Sequence, residues 1–174
     1  MKNSTVVGLG ASKARLAIYI ANRPLNAPYP SLNALQPLVT GELQNIVANN
    51  SNHWRKAFNV FAKILWQLKW PELTANTASC WQDYRDNHLL QAHSREALLF
   101  SPPDIHAPHI KIITGKTYAA ALALPPLTWL DAHFAVNTQH QLIVCPYLDY
   151  RQLSNARITT LGLLVSEHLQ GSAV

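Results

Sequence analysis

The sequence predicts an α/β protein, a single three-layer α/β/α domain around a short, mostly parallel sheet. Short apolar runs rich in β-branched residues alternate with longer segments of helical periodicity, which is the pattern of a parallel sheet covered on both faces. The length of 174 residues suits one domain. Since no internal repeat or long linker interrupts the chain, we assign residues 1–174 to that one domain.

The first half of the chain begins with a predicted strand and contains the clearest helix. Residues 16–21 form an uncharged run with β-branched and aromatic members, which predicts a buried strand. The three prolines of residues 24–31 predict a stiff loop. Residues 35–47 predict one or two short helices. Residues 52–68 carry apolar side chains at helical spacing, so they predict an amphipathic helix, which Pro71 ends.

The second half predicts a further alternation of helices and strands. A polar helix comes first, followed by a strand and a second helix. Two short strands then form a hairpin or flank a loop, and a C-terminal helix closes the chain. These elements are predicted at residues 79–96, 109–114, 117–124, 134–136, 141–145 and 155–169.

The composition indicates a basic protein with a modest excess of positive charge. Fourteen Lys and Arg against nine Asp and Glu give a net charge of +5. This balance favours anionic partners, but the basic residues are scattered, so the charge equally fits a role in solubility. Cys80 and Cys145 are too few for a disulfide framework. The sequence shows no apolar run of membrane-spanning length and no signal-peptide pattern, so we expect a cytoplasmic protein with no membrane partner.

Two nucleotide-binding motifs fail at defined positions. The Gly-Lys-Thr of residues 115–117 follows a predicted strand, but the phosphate-loop pattern needs a glycine where Ile110 stands. The Gly-Leu-Gly of residues 8–10 begins like a dinucleotide fingerprint, but Lys13 occupies the place of the third glycine. We therefore interpret Gly115 as part of a tight strand-to-helix turn, and we expect no bound cofactor.

Eight histidines raise the question of a metal site. His106 and His109 are close in sequence, but Asp104 is the only carboxylate beside them. The spacing of His88 and His93 does not suit one face of a helix. We therefore expect no metal centre. A Ser-His-Asp triad needs no closeness in sequence and stays open, although the G-x-S-x-G pattern of a nucleophile elbow is absent.

The candidate site consists of two polar loops, residues 22–31 and 146–155, each of which follows a predicted strand. Loops that follow parallel strands leave the sheet at the same edge, where α/β proteins bind their ligands. We expect these loops to share a crevice formed by Asn22, Arg23, Tyr29, Tyr147, Asp149, Tyr150, Arg151 and Ser154. The alternative is structural: the tyrosines pack, while Asp149 and Arg151 pair with neighbours or cap the last helix.

Three segments resemble the uracil-DNA glycosylase superfamily, a three-layer fold around a short parallel sheet. Residues 22–30, which end in Ala-Pro-Tyr-Pro, are similar to that family's first loop, where a Pro-Tyr helps to shape the base pocket. Residues 112–119, Ile-Ile-Thr-Gly-Lys-Thr-Tyr-Ala, are similar to its strand-to-helix turn. Residues 144–154 stand where the family's closing His-Pro-Ser-Pro loop grips DNA. The resemblance implies a nucleobase pocket at the ends of the strands.

The catalytic motifs of that superfamily are not retained. The first loop has no Asp or Glu where the family activates water, and Asn22 and Asn26 are the nearest polar residues. Tyr147 stands where the family carries its histidine. The resemblance therefore implies binding without base excision. The chain also looks like a member of a bacterial family of unknown function, which implies no activity.

Three functions stay open. The first is a module that binds nucleic acid, a nucleobase or a nucleotide, favoured by the paired loops, the net charge and the tryptophans Trp66, Trp70 and Trp81, which could stack on bases. The second is a hydrolase-type enzyme for a small molecule, with Asp149 as base or water-orienting group and Arg151 stabilising negative charge. The third is a non-catalytic domain that binds another protein. The sequence indicates neither a substrate nor an oligomeric state.

Overall fold

The computed structural model describes residues 5–69 and 77–171, so Trp70 and Pro71 lie outside the described residues. Within these ranges the strands are β1 (Gly8–Gly10), β2 (Leu16–Tyr19), β3 (Leu35–Gln36), β4 (Glu96–Leu99), β5 (Ile110–Thr114), β6 (Thr128–Trp129), β7 (Ala135–Asn137) and β8 (Leu142–Cys145). The helices there are α1 (Glu42–Ala48), α2 (Asn52–Leu68), α3 (Trp81–Asn87), α4 (Lys116–Ala121) and α5 (Asn155–Gly171). None of these helices is both long and apolar enough to cross a membrane.

The strands form one mixed sheet that is parallel at its centre. Their order is β3-β1-β4-β2-β5-β8-β7-β6. The central strands β4, β2, β5 and β8 run parallel to one another. On the two sides, β1 and β7 pair antiparallel with β4 and β8. This sheet with its helices confirms the predicted α/β class.

The two faces of the sheet are covered unequally. Successive side chains of a strand point to opposite faces, so Ile18 and Tyr19 of β2 enter different cores. Ile18 shares the larger core with Phe58 of α2 and Leu161 of α5, and α1 and α3 contribute to the same core. Tyr19 shares the smaller core with Ala119 of α4. In the described part of the chain, the second helical layer is thus reduced to α4 and the segment that follows it.

The predicted helix at residues 79–96 is wrong in its second half. α3 ends at Asn87, and Glu96 begins the central strand β4. The carboxylate of Glu96 is fully buried, where it accepts hydrogen bonds from the hydroxyl of Tyr84 and the backbone N–H of Leu90. Glu, Ala and Leu all favour helix, so the local sequence of β4 misleads. Tertiary contacts override that local preference.

Most other elements agree with the sequence. α2 covers the predicted residues 52–68. The antiparallel pairing of β7 with β8 selects the hairpin over the simple loop. Residues 35–47 contain β3 as well as α1. The prediction lacks β1, β3 and β6 because strands of two or three residues are too short to show an alternating pattern.

Candidate ligand-binding site

The candidate site lies at the carboxyl edge of the parallel strands. The first parallel strand in the chain, β2, lies between the second and the third, β4 and β5, so the strand order reverses between β2 and β5. Open α/β sheets bind ligands outside the strand ends at such a reversal. The Asn22 amide donates a hydrogen bond to the Tyr147 hydroxyl at 3.1 Å. This bond joins the loops that follow β2 and β8 across the end of β5.

A cavity of about 750 Å³ opens at this edge. It is lined by the segments that follow β2, β5 and β8 and by residues just before β7. Its polar side chains include Lys116, Tyr118, His133, Tyr147 and Gln152, set among alanines and a proline. A largely apolar lining with a few polar groups is typical of sites for small molecules, and the volume lies within their usual range.

The turn from β5 into α4 depends on Gly115. Its φ of 95° and ψ of 130° lie in a region that residues with a side chain rarely adopt. Its N–H donates to the Cys145 carbonyl at 2.9 Å, which ties the ends of β5 and β8 together. A Cβ at this position would lie 3.8 Å from the ring of Tyr147, so backbone conformation rather than space requires the glycine. The tight turn forms one wall of the cavity.

Tyr147 connects the cavity to α2. Its ring stacks on His53, with ring centroids 5.2 Å apart and planes inclined by 16°. Its hydroxyl accepts the bond from Asn22 and is hydrogen-bonded to Nε2 of His53. The tautomer of the imidazole determines which of the two groups donates this hydrogen bond. Burial lowers the pKa of His53 and raises the pKa of Tyr147, which favours the neutral form of both side chains.

Asp149 lies beside this pair but is occupied by basic neighbours. Its carboxylate accepts from the backbone N–H of Arg151 at 2.9 Å and from the Arg151 guanidinium at 3.3 Å. The ammonium of Lys56 is 4.0 Å away. Hydrogen bonds from Arg151 hold the pKa of Asp149 below its usual value. Tyr150 is exposed and lies between the two cations, 5.5 Å from Lys56 and 5.8 Å from Arg151.

Arg23 and Tyr29 hold the first loop in its fold. The Arg23 guanidinium donates to the carbonyls of Tyr29 and Leu32, at 3.3 and 3.0 Å, and lies over the ring of Phe100. Tyr29 is buried, and its hydroxyl donates to the Glu42 carboxylate at 2.6 Å. Both side chains therefore make their contacts within the first loop or with the residues that support it.

The predicted site residues thus separate into groups. Ser154 contributes its carbonyl to the start of α5, where it accepts from the N–H of Ile158 at 2.8 Å. The structure brings Asn22 and Tyr147 together beside the cavity. It places Asp149, Tyr150 and Arg151 further along the same loop as Tyr147, and it uses Arg23, Tyr29 and Ser154 in local structural contacts.

The sequence interpretation omits several residues of the site. Lys116 lies over the ring of Trp129 at 4.9 Å. His133 accepts a hydrogen bond from Arg157 at 3.0 Å. Lys116 follows a central strand, so the rule applied to the other two loops would have found it. His53 reaches the site only because α2 packs beside the last loop, and no local sequence pattern predicts this packing.

Among the described residues, no three His, Cys, Asp or Glu side chains are grouped so that they could hold a metal ion. No curated protein and no solved structure is significantly similar to the chain. A family model, that of a family of unknown function (DUF6942), matches residues 7–166, a range that includes every residue of the cavity. The chain therefore belongs to this family of unknown function, DUF6942.

Proposed function

We propose that this protein binds a nucleobase or a nucleotide in the cavity at the carboxyl edge of the sheet. The lining of the cavity carries the proposal, because the side chains of Tyr118 and Tyr147 and the cation Lys116 border a mostly apolar space of about 750 Å³. A base has two apolar faces and a polar edge, so aromatic rings with a few hydrogen-bonding groups suit it.

The polar groups of the cavity match the parts of a nucleotide. The side-chain amide of Gln152 can both donate and accept, as a base edge requires. His133 accepts from Arg157 through Nε2, so its Nδ1–H can donate to a ligand. Lys116 forms no ion pair within the described residues, and its ammonium beside Trp129 is placed to meet a phosphate.

The proposal includes a resemblance of the fold to that of the uracil-DNA glycosylase superfamily. A parallel sheet with converging loops at its carboxyl edge supports it, as does the contact between Asn22 of the first loop and Tyr147 of the last. The first loop has no Asp or Glu to activate water, so the proposed activity is recognition of the base.

The two other functions have less support. An enzyme that uses Asp149 as a base would depend on a carboxylate that is a weak proton acceptor, because hydrogen bonds from Arg151 lower its pKa. A protein-binding role would use the exposed side chains of Trp129 and Leu130, which are 46% and 52% exposed. The first observation does not indicate a substrate, and the second does not define the chemistry of a protein partner.

The test is calorimetric titration with free nucleobases, nucleosides and nucleoside monophosphates. We expect binding of bases and tighter binding of monophosphates. Lys116→Ala should weaken monophosphate binding roughly tenfold and leave free bases unaffected, because one charge-assisted hydrogen bond is lost. Lys13→Ala removes the same charge from the turn before β2, at the opposite edge of the sheet, and serves as the control. Absence of binding by every base and nucleotide at millimolar concentration would refute the proposal.

A further inference from the structure

We propose that a partly exposed surface along α2 is a second binding surface, which takes the sugar–phosphate backbone of a single-stranded nucleic acid. This surface, the basic stripe, consists of three lysines and three aromatic side chains from α2, α3 and the loop after β8. Its members are Lys56, Lys63, Lys69, Trp66, Trp81 and Tyr150.

Each lysine of the basic stripe lies over an aromatic ring. Lys63 is 5.0 Å from the ring centroid of Trp81, and Lys69 is 4.1 Å from that of Trp66. At the other end, Lys56 is 5.5 Å from the ring of Tyr150. Proteins that bind single strands combine cations for the phosphates with rings for the bases, and this stripe contains both kinds of side chain.

Among the described residues, the lysines of the stripe form one ion pair, between Lys56 and Asp149 at 4.0 Å. α2 contains no Asp or Glu. The carboxylate of Asp86 is paired with Arg85 at 2.7 Å, and that of Asp149 is paired with Arg151 at 3.3 Å. Lys63 and Lys69 form no ion pair within the described residues. They therefore offer their full charge to an anion.

The dimensions of the stripe suit an extended polymer better than a single small anion. From Lys56 to Leu68, where α2 ends, the helix axis runs about 18 Å, at about 1.5 Å per residue, and Lys69 is the C-cap that follows. A groove of about 440 Å³ lies along the second half, between α2 and the start of α5, lined by Lys63, Trp66 and Thr159 among others. An extended strand would meet the lysines in sequence, which multiplies the electrostatic contribution to its affinity.

The stripe begins where the cavity ends. The loop after β8 places Tyr147 in the cavity and Tyr150 over Lys56, and His53 precedes Lys56 on α2 by one helical turn. A strand whose base enters the cavity would therefore continue along α2. The continuation of a strand from the cavity to α2 rests on the proposed function. Binding of a strand to the lysines alone does not require an occupied cavity.

The test measures binding of a short oligothymidylate at several salt concentrations, by fluorescence anisotropy. We expect tight binding at low salt, with a logarithmic salt slope that falls by about 0.7 for each phosphate contact removed. Lys63→Ala and Lys69→Ala should each weaken oligonucleotide binding and reduce the slope, while Lys13→Ala should change neither. Circular dichroism of each variant excludes a loss of fold as the cause.

The outcomes separate the two proposals. Oligonucleotide binding that depends on Lys63 and Lys69, without any binding of mononucleotides, refutes the cavity proposal and supports the stripe. Mononucleotide binding together with oligonucleotide binding that ignores these lysines refutes the stripe alone. Polyglutamate that competes as well as the oligonucleotide would also overturn the inference, since the stripe would then be a surface for acidic proteins.

Discussion

The side chains of Tyr147 and His53, separated by 94 positions in the sequence, are stacked and hydrogen-bonded to each other. This contact fixes the loop after β8 against the first turn of α2. It also partly buries the imidazole of His53 at the edge of the cavity. There the carboxylate of Asp149 and the ammonium of Lys56 shift the pKa of the imidazole in opposite directions.

The pKa of His53 should respond with opposite sign to substitution of those two neighbours. Burial lowers it most, the carboxylate of Asp149 raises it, and the ammonium of Lys56 lowers it. Asp149→Asn should therefore lower the pKa of His53 further, and Lys56→Ala should bring it back toward its ordinary value. NMR titration of the imidazole measures both. Shifts of equal sign in the two variants would contradict the electrostatic arrangement described above.

Arg23 should matter for stability and not for binding. Arg23→Ala removes donors from the carbonyls of Tyr29 and Leu32 and the contact with Phe100. We expect the free energy of unfolding to fall by about 1–3 kcal/mol, as for other losses of charged hydrogen bonds. The matched control is Arg151→Ala, whose side chain is 67% exposed and should cost almost nothing. Urea denaturation compares the two, and equal stability would show that the loop does not need its arginine.

Two buried groups should give opposite dependences of stability on pH. Burial raises the pKa of Glu96 from 4.5 to about 7, so the folded state binds more protons and stability falls as the pH rises through that window. Burial lowers the pKa of His109 from 6.5 to about 4, so the unfolded state binds more protons and stability rises as the pH rises. These slopes oppose each other between about pH 4.5 and 6.5.

Single substitutions should expose each slope. Glu96→Gln should leave stability rising with pH over this window, and His109→Gln should leave it falling, by at most about 3 kcal/mol for a full shift of this size. His109→Gln can keep the hydrogen bond that Tyr19 makes to position 109. Urea unfolding at a series of pH values provides the measurement. The same slope in both variants would show that Glu96 and His109 do not determine how stability depends on pH.

Replacement of two glycines by alanine should have opposite effects. Gly115→Ala forces a side chain into a conformation that favours glycine, which should destabilise the protein by about 1–3 kcal/mol. Gly162 lies within α5, where the nearest neighbour of an added Cβ would be the Gln67 side chain, at an ordinary contact distance of 3.6 Å. Gly162→Ala should therefore stabilise by about 0.5–1 kcal/mol through helix propensity. Thermal unfolding distinguishes these signs, and a neutral Gly115→Ala would mean that the turn can relax.

The sequence predicts those features that local patterns determine. The apolar stripe of α2 is read from periodicity alone, and the convergence of Asn22 with Tyr147 follows from the rule that parallel strands end at one edge. These conclusions need only the order of the elements and the faces of a helix.

Features that depend on tertiary contacts are not predicted. Tyr29 lies in a loop that follows a strand, which is where binding residues are expected. The loop folds back, however, and the Tyr29 hydroxyl donates a hydrogen bond to Glu42. Glu96 has a helical local sequence, and the buried Tyr84 hydroxyl holds it in a strand. His53 enters the site through the packing of α2, which no spacing in the chain records.

The unequal cover of the sheet has a consequence for hydrogen exchange. The cavity wall formed by Gly115 and Tyr118 belongs to the thin layer, in which α4 has six residues, whereas α2 and α5 of the thick layer have seventeen each. Local opening of α4 disrupts few contacts, so its amides should exchange at a lower free energy than those of β5 beneath it. A ligand bound in the cavity would slow exchange of these amides, and the protected amides would mark the wall of the cavity that it contacts.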